Sequence, residues 1–140
     1  MNIWNDMYEQ AKTLYNPRNI SPFIYGGQVV CAIESTDGQI YTGVCIEASS
    51  GVLNICAERA ALMNMFISSG KTQVKRVITF REEAPTKNIN CLPCGACSEC
   101  FMQFNIANRD TEFLIDLKNQ TTVTLAEIYP HWWGNTLMTK

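Results

Sequence analysis

Residues 91–100 read CLPCGACSEC, with Cys91, Cys94, Cys97 and Cys100 at a strict three-residue interval. Side chains three apart on a helix lie about 5–6 Å from one another on one face. At the start of a helix, Cys94 and Cys97 therefore fall within the roughly 2.3 Å Zn–S reach of a single ion. Pro93 suits the first helical turn, where its missing N–H costs nothing, and the helix is expected to run to about Asn105. The positive end of the helix dipole favours thiolate over thiol at both positions.

A second stretch supplies a partner. Cys56 opens another predicted helix, CAERAALMNMFISS over 56–69, with Asn54 as its expected N-cap and Gly70 at its C-terminal end. Two helix starts converging on one cation would offer three thiolates and leave a fourth position free. That is the pattern of a catalytic zinc, whereas structural sites are usually closed by four ligands. Cys91 lies on the loop side of Pro93, and Cys100 lies about 4.5 Å further along the helix axis than Cys97. Both, with Cys31 and Cys45 inside predicted strands, read as small buried hydrophobes. Two other ligations stay open. The C-x2-C-x2-C spacing also begins an iron–sulfur run, although the C-x3-C-P continuation is missing. A closed zinc site of all four clustered cysteines is the other, against which Pro93 and helical geometry work.

The seven cysteines are an odd number in a chain with no export signal, which points to thiols or metal ligands rather than disulfides. The one histidine, His131, rules out a His-rich metal site and reads as a packing or hydrogen-bonding residue. A formal net charge of −2 gives no footprint for nucleic acid or an anionic membrane surface. No apolar run approaches the roughly 18 residues of a membrane span, and Asp6 and Glu9 spoil a signal peptide, so the cytoplasm is the expected compartment.

At 140 residues the chain is most simply one domain, 1–140, large enough to bury a sizeable core. Residues 2–15 place Ile3, Met7, Ala11, Leu14 and Tyr15 on one helical face, before Asn16-Pro17 breaks the helix. QVVCAI (28–33) and QIYTGVCI (39–46) read as antiparallel strands joined at Thr36-Asp37-Gly38. A loop with Ser49, Ser50 and Gly51 leads to the CAER helix. VKRVITF (74–80), TEFLIDL (111–117) and TTVTL (121–125) supply three more strands, the last two joined by a turn at 118–120. A hairpin followed by alternating helices and strands predicts an α/β fold, a mixed five-stranded sheet flanked by helices.

Glu58 gives the two cysteine stretches their sense. C-A-E at 56–58 and P-C-G-A-C at 93–97 match the signature of the zinc deaminases of bases and nucleosides. The longer strings resemble the small cytidine deaminases with three cysteine ligands: CAERAAL (56–62), LPCGAC (92–97), the hairpin STDGQIYTG (35–43) and IYPHWWG (128–134), which is similar to a C-terminal LLPxxFG. The resemblance covers nearly all of the chain after the first helix, in the right order. It implies a three-layer sandwich and a zinc-dependent deaminase domain with one Zn2+ per subunit, held by Cys56, Cys94 and Cys97. It makes Glu58 the acid/base, moving protons from the water to ring N3 and then to the departing amine. Arg59 would donate to the thiolates from behind, drawing off the charge of about −1 that three thiolates leave on Zn2+. The implied products are a uracil-type ring and ammonia.

The resemblance fails at the sugar end. Where the family carries Asn-x-Glu-Asn, this chain has Cys45-Ile46-Glu47-Ala48. Glu47 could accept from a sugar hydroxyl, but neither Cys45 nor Ala48 offers an amide's paired donor and acceptor. The family's aromatic before Val-Gly aligns with Gly27, leaving Phe23 or Tyr25 as replacements from a shifted position. Blasticidin-S deaminases, relatives on the same scaffold, also depart here, so a modified cytosine is an alternative substrate to a cytidine-like nucleoside. A non-catalytic zinc-stabilised binding module is the alternative of a different class. In tetrameric members the LLPxxFG aromatic reaches a neighbouring subunit's site. Trp133 aligns with it, which implies a homo-oligomer, a tetramer or a dimer, with a small molecule as its other partner.

Overall fold

The computed structural model describes residues 2–138. Asn2 begins the first helix, α1 (Ile3–Lys12), by accepting the Trp4 N–H at 2.8 Å. Trp4, Met7 and Ala11 are the side chains it buries. Trp4 was outside the expected apolar stripe, and Leu14 from that stripe is exposed because the helix stops at Lys12.

Two strands then form the long hairpin, β2 (Ile24–Ser35) and β3 (Ile40–Ala48), with β1 (Arg18–Asn19) before them. After α2 (Ala57–Ser69) come β4 (Val74–Phe80), α3 (Gly95–Phe104), β5 (Glu112–Asp116) and β6 (Thr121–Thr124). Short helices α4 (Leu125–Ile128) and α5 (Asn135–Met138) finish the described chain. The sheet runs β3-β2-β4-β5-β6, parallel only between β4 and β5, and β1 pairs with the first residues of β2. It therefore has six strands rather than the expected five. A two-residue strand is too short for hydrophobic alternation to reveal.

The alternation of side chains along the strands sorts the core into two layers. Val30, Ala32, Ile78, Phe80 and Leu114 face α1. Cys31, Ile33, Val77 and Phe113 face the other way, toward Leu62 and Met65 of α2 and Phe101 and Met102 of α3. Helices on both faces of one sheet give the three-layer sandwich. Asn108 locks α3 to β4, accepting the Val74 N–H at 2.8 Å and donating to the Phe101 carbonyl at 2.8 Å.

Gly43 sets how closely α2 lies on β3. A Cβ at this position would stand 2.3 Å from the Ala61 nitrogen and 2.6 Å from the Ala57 carbonyl oxygen. Both are backbone atoms, so the helix itself would have to lift. Gly43→Ala should therefore cost about 1–3 kcal/mol as an overpacked contact. Thermal unfolding should show a drop of about 3–10 °C in Tm; an unchanged Tm would mean that α2 moves freely on the strand.

Candidate active site

The helix starts meet as their sequences require. Cys56 is the N-cap of α2 and Cys94 the N-cap of α3, each with extended backbone and neither capping through its side chain. The expected caps shift accordingly. Asn54 lies before the helix and its side chain instead accepts the Ala48 N–H at 2.6 Å, while Pro93 precedes the cap rather than entering the first turn. Cys97 is the third residue of α3 and is buried.

The Cys56 and Cys94 sulfurs are 3.6 Å apart, those of Cys94 and Cys97 are 3.5 Å apart, and all three lie within 4.8 Å of one another. Tetrahedral ligands at the zinc–sulfur distance would have sulfurs about 3.7 Å apart. The donor set thus fits a zinc ion in chemistry and in size. Desolvation pushes the Cys94 thiol up, but the Cys97 N–H, the neighbouring thiols and the Ala96 N–H outweigh it and hold the group below its usual range. In the Cys97 thiol, desolvation dominates and raises the pKa, with the Glu58 charge adding to it. A bound divalent cation would reverse that balance and deprotonate the ligands outright.

Arg59 reaches back from α2, its Nη2 donating to the Cys56 sulfur at 3.7 Å. That contact is the main reason its guanidinium holds its proton still more firmly. Glu58 is 5% exposed, and desolvation raises its pKa above the usual carboxylate range, with the Arg59 charge opposing only in part. Its carboxyl and the Cys56 and Cys94 sulfurs line one cavity of about 400 Å³. A buried carboxyl held above its usual pKa by desolvation thus stands beside a cluster of sulfur donors.

The same cavity takes Cys45 and Glu47 from β3, on the strand face that bears Gly43. Phe23 and Tyr25 do not line it. The place of the family's aromatic is closed by the backbone: Gly27 has φ +82°, and a Cβ there would stand 2.2 Å from the Asn16 carbonyl oxygen. Val29 lines the cavity from within the irregular stretch between Gly26 and Val30. Trp133 does not line this chain's cavity. It is 55% exposed, and its indole N–H donates to Glu99 at 2.8 Å. The Glu99 carboxylate also accepts from Trp132 at 2.8 Å and from the Tyr129 hydroxyl at 3.1 Å, tying the C-terminal segment to α3. His131 is exposed and neither packs in the core nor lines the cavity.

The remaining cysteines divide. Cys31 is buried in the core and Cys100 packs against it, as expected of small hydrophobes. Cys45 is both a core residue and part of the cavity wall. Cys91 departs from expectation: it is half-buried and lines the cavity, yet stands outside the three-sulfur group. Cys91→Ser and Cys100→Ser should each retain one zinc per chain by elemental analysis of colourless protein. Loss of the metal from either would move the site to the 91–100 cluster.

Among the wall residues that had escaped the sequence reading are three polar ones, Thr79, Arg81 and Asn90. Thr79 is a polar residue at the end of an apolar strand, and Arg81 follows that strand's last residue. Their one signal is position, because ligands in open α/β sheets gather beyond the carboxyl ends of strands.

The model of the cytidine and deoxycytidylate deaminase zinc-binding region matches residues 9–109, which include all three sulfur donors and Glu58. The chain belongs to this family. Within the cytidine and deoxycytidylate deaminases, a cytidine deaminase of Mycoplasma pneumoniae is 35% identical over 78 residues, covering 55% of this chain and 55% of that protein. The chain thus spans about half the length of this curated relative. The cytidine deaminase structures from Mycobacterium tuberculosis (20% identical, TM-score 0.71, 94% of this chain and 97% of that one) and Bacillus anthracis (23% identical, TM-score 0.69, 99% and 94%) share the fold. Among the described residues, no helix is long and apolar enough to cross a membrane.

Proposed function

We propose that this member of the family is a zinc-dependent aminohydrolase that converts a cytidine-like nucleoside or amino-substituted base to its uracil-type product and ammonia. The observation that carries the proposal is the buried Glu58 carboxyl in one cavity with the Cys56 and Cys94 sulfurs. Cys56, Cys94 and Cys97 would hold the ion. When bound, zinc lowers the pKa of a coordinated water from 15.7 to about 7, so that a nucleophile exists at neutral pH.

The chain's own residues do the rest. Glu58 takes a proton from the water and gives it to ring N3 as the new C4–O bond forms. It then takes the remaining hydroxyl proton and passes it to the amino group. The C4–N bond breaks, ammonia leaves with that proton, and a C4 carbonyl remains. A carboxyl raised by desolvation suits both halves of this exchange, since efficient transfer needs a pKa near the working pH. Arg59 draws charge from the Cys56 thiolate, which favours ionising the water.

The substrate's sugar is the open point. With Cys45 on the cavity wall and Ala48 close by, strand β3 offers no amide to a sugar hydroxyl, and the Asn54 and Asn90 amides on the wall lie outside that strand, which supports a modified cytosine as an alternative. Ammonia release from cytidine, deoxycytidine, cytosine analogues and blasticidin S tests the proposal. No turnover by zinc-loaded protein across that panel would leave a binding module instead.

We further propose a homotetramer working in the cytoplasm, with Trp133 turned toward a neighbouring subunit. Exposed apolar side chains support an interface: Met63, Phe66 and Ile67 on α2, and Trp133 and Leu137 near the C-terminus. A monomeric mass by light scattering would exclude it.

A further inference from the structure

We propose that Asn54, in the turn before α2, is a specificity-determining residue: paired with Glu47, it selects a hydroxyl on the group attached to the ring and rejects an amine there. The inference rests on the deaminase reading above and adds a residue to it. Ile46 and Ile55 exchange both backbone hydrogen bonds, at 3.1 and 3.2 Å, as a short antiparallel bridge. The next pair along that bridge is Glu47 and Asn54. Directly opposed side chains in such a ladder leave the same face, with Cβ atoms about 4.5–5.5 Å apart. Both residues line the cavity. The ladder goes no further, because Gly51–Leu53 form a single 3-10 turn. The Ala48 N–H is met instead by the Asn54 side chain, whose Oδ1 accepts it at 2.6 Å.

That bond decides which end of the amide a ligand meets. A backbone N–H can only donate, so the carboxamide oxygen faces the strand and the amino group is left on the other arm. Among the described residues, Nδ2 of Asn54 has no hydrogen-bond partner. Opposite it stands the Glu47 carboxylate, which accepts only and is in no ion pair among the described residues. A donor beside an acceptor is complementary to one group that is both. A hydroxyl donates to Glu47 and accepts from Asn54 through the same oxygen. An ammonium would satisfy Glu47 but meet Asn54 donor to donor, and an anion would meet Glu47 charge to charge. Cys45 and Ala48 on the strand supply neither function, so the discrimination falls on this pair. Asn90 is the other amide of the wall, but it lies in the stretch 81–92, and among the described residues no hydrogen bond fixes which of its ends faces inward.

The test compares kcat/KM of the zinc-loaded protein for cytidine, its 2′-, 3′- and 5′-deoxy analogues, and the analogues with an amino group in place of each hydroxyl. One deoxy analogue should fall about 10–100-fold below cytidine, the range of a hydrogen bond to a charged group, and its amino counterpart should do no better. Asn54→Asp keeps an oxygen for the Ala48 N–H and removes the donor, which separates recognition of the ligand from support of the turn. At mildly alkaline pH, where both carboxyls are ionised, it should lower cytidine about tenfold or more and that deoxy analogue by less than about threefold. Zinc content and Tm should match those of the parent protein. Asn54→Ala should lose the same discrimination and lower Tm as well. Equal turnover of cytidine and all three deoxy analogues by the parent overturns the proposal. So does either variant keeping the parent's preference, which would leave Asn54 a support of the turn alone. If no compound is turned over, the deaminase reading fails by itself. Calorimetric titration with cytidine and its deoxy analogues then decides the hydroxyl preference, and equal affinities would refute it.

Discussion

Glu58→Gln is expected to lower turnover of the preferred substrate by about 10²–10⁴-fold, the usual contribution of a positioned acid/base. The amide keeps the volume and polarity of the side chain, and Glu58 is not one of the three sulfur donors. Elemental analysis should therefore find one zinc per chain, as in the unaltered protein. The buried site makes this comparison clean, since the change also removes a carboxyl that desolvation already pushes toward its neutral form. Folding should not suffer. Ammonia release within tenfold of the parent would place the proton shuttle elsewhere. Loss of metal together with activity would instead make Glu58 a ligand.

Cys97→Ser should have the second large effect. Cys97 is fully buried, at the third position of α3, and its sulfur lies 3.5 Å from that of Cys94. Replacing it leaves two thiolates and a hydroxyl that ionises poorly. Zinc affinity should fall by more than about 10²-fold, beyond the 10–100-fold that loss of an outer hydrogen bond costs, and turnover should fall with it. The parent protein's Tm should rise with added zinc, because a ligand bound only to the folded state stabilises it by mass action. The variant's Tm should stay flat over the same concentrations. A variant that keeps stoichiometric zinc would show that a different trio of sulfurs holds the ion.

What could be read from the chain, and what could not, divides along locality. Cys56 and Cys94 each announce a helix start, and Cys97 follows Cys94 at a spacing that only helical geometry makes useful. The meeting of the two starts needed no more than Glu58 between them to be legible. The caps slipped by a residue or two because Asn54 is drawn off to the Ala48 N–H, a contact with a strand that no local pattern reveals. Trp4 joins the core through the sheet face above it. Strand β1 exists only because β2 extends beyond β4 and offers Gly26 and Tyr25 as partners. Thr79 and Arg81 look like the ragged end of a strand until folding sets them opposite Cys45 and Glu47. The closed backbone at Gly27 likewise explains the missing ring, which in sequence is merely an absence.

The bare contact at Gly43 limits how this pocket can diversify. With α2 seated directly on the strand's main chain, any side chain at position 43 would lift the helix that carries Glu58 and follows Cys56. New ligand preferences are easier to build away from that seam, at Cys45 to Glu47 on β3 and at the end of β4 with the stretch 81–92 that leads into α3. Directed evolution of substrate range would do best to randomise that stretch and leave the helix–strand seam alone.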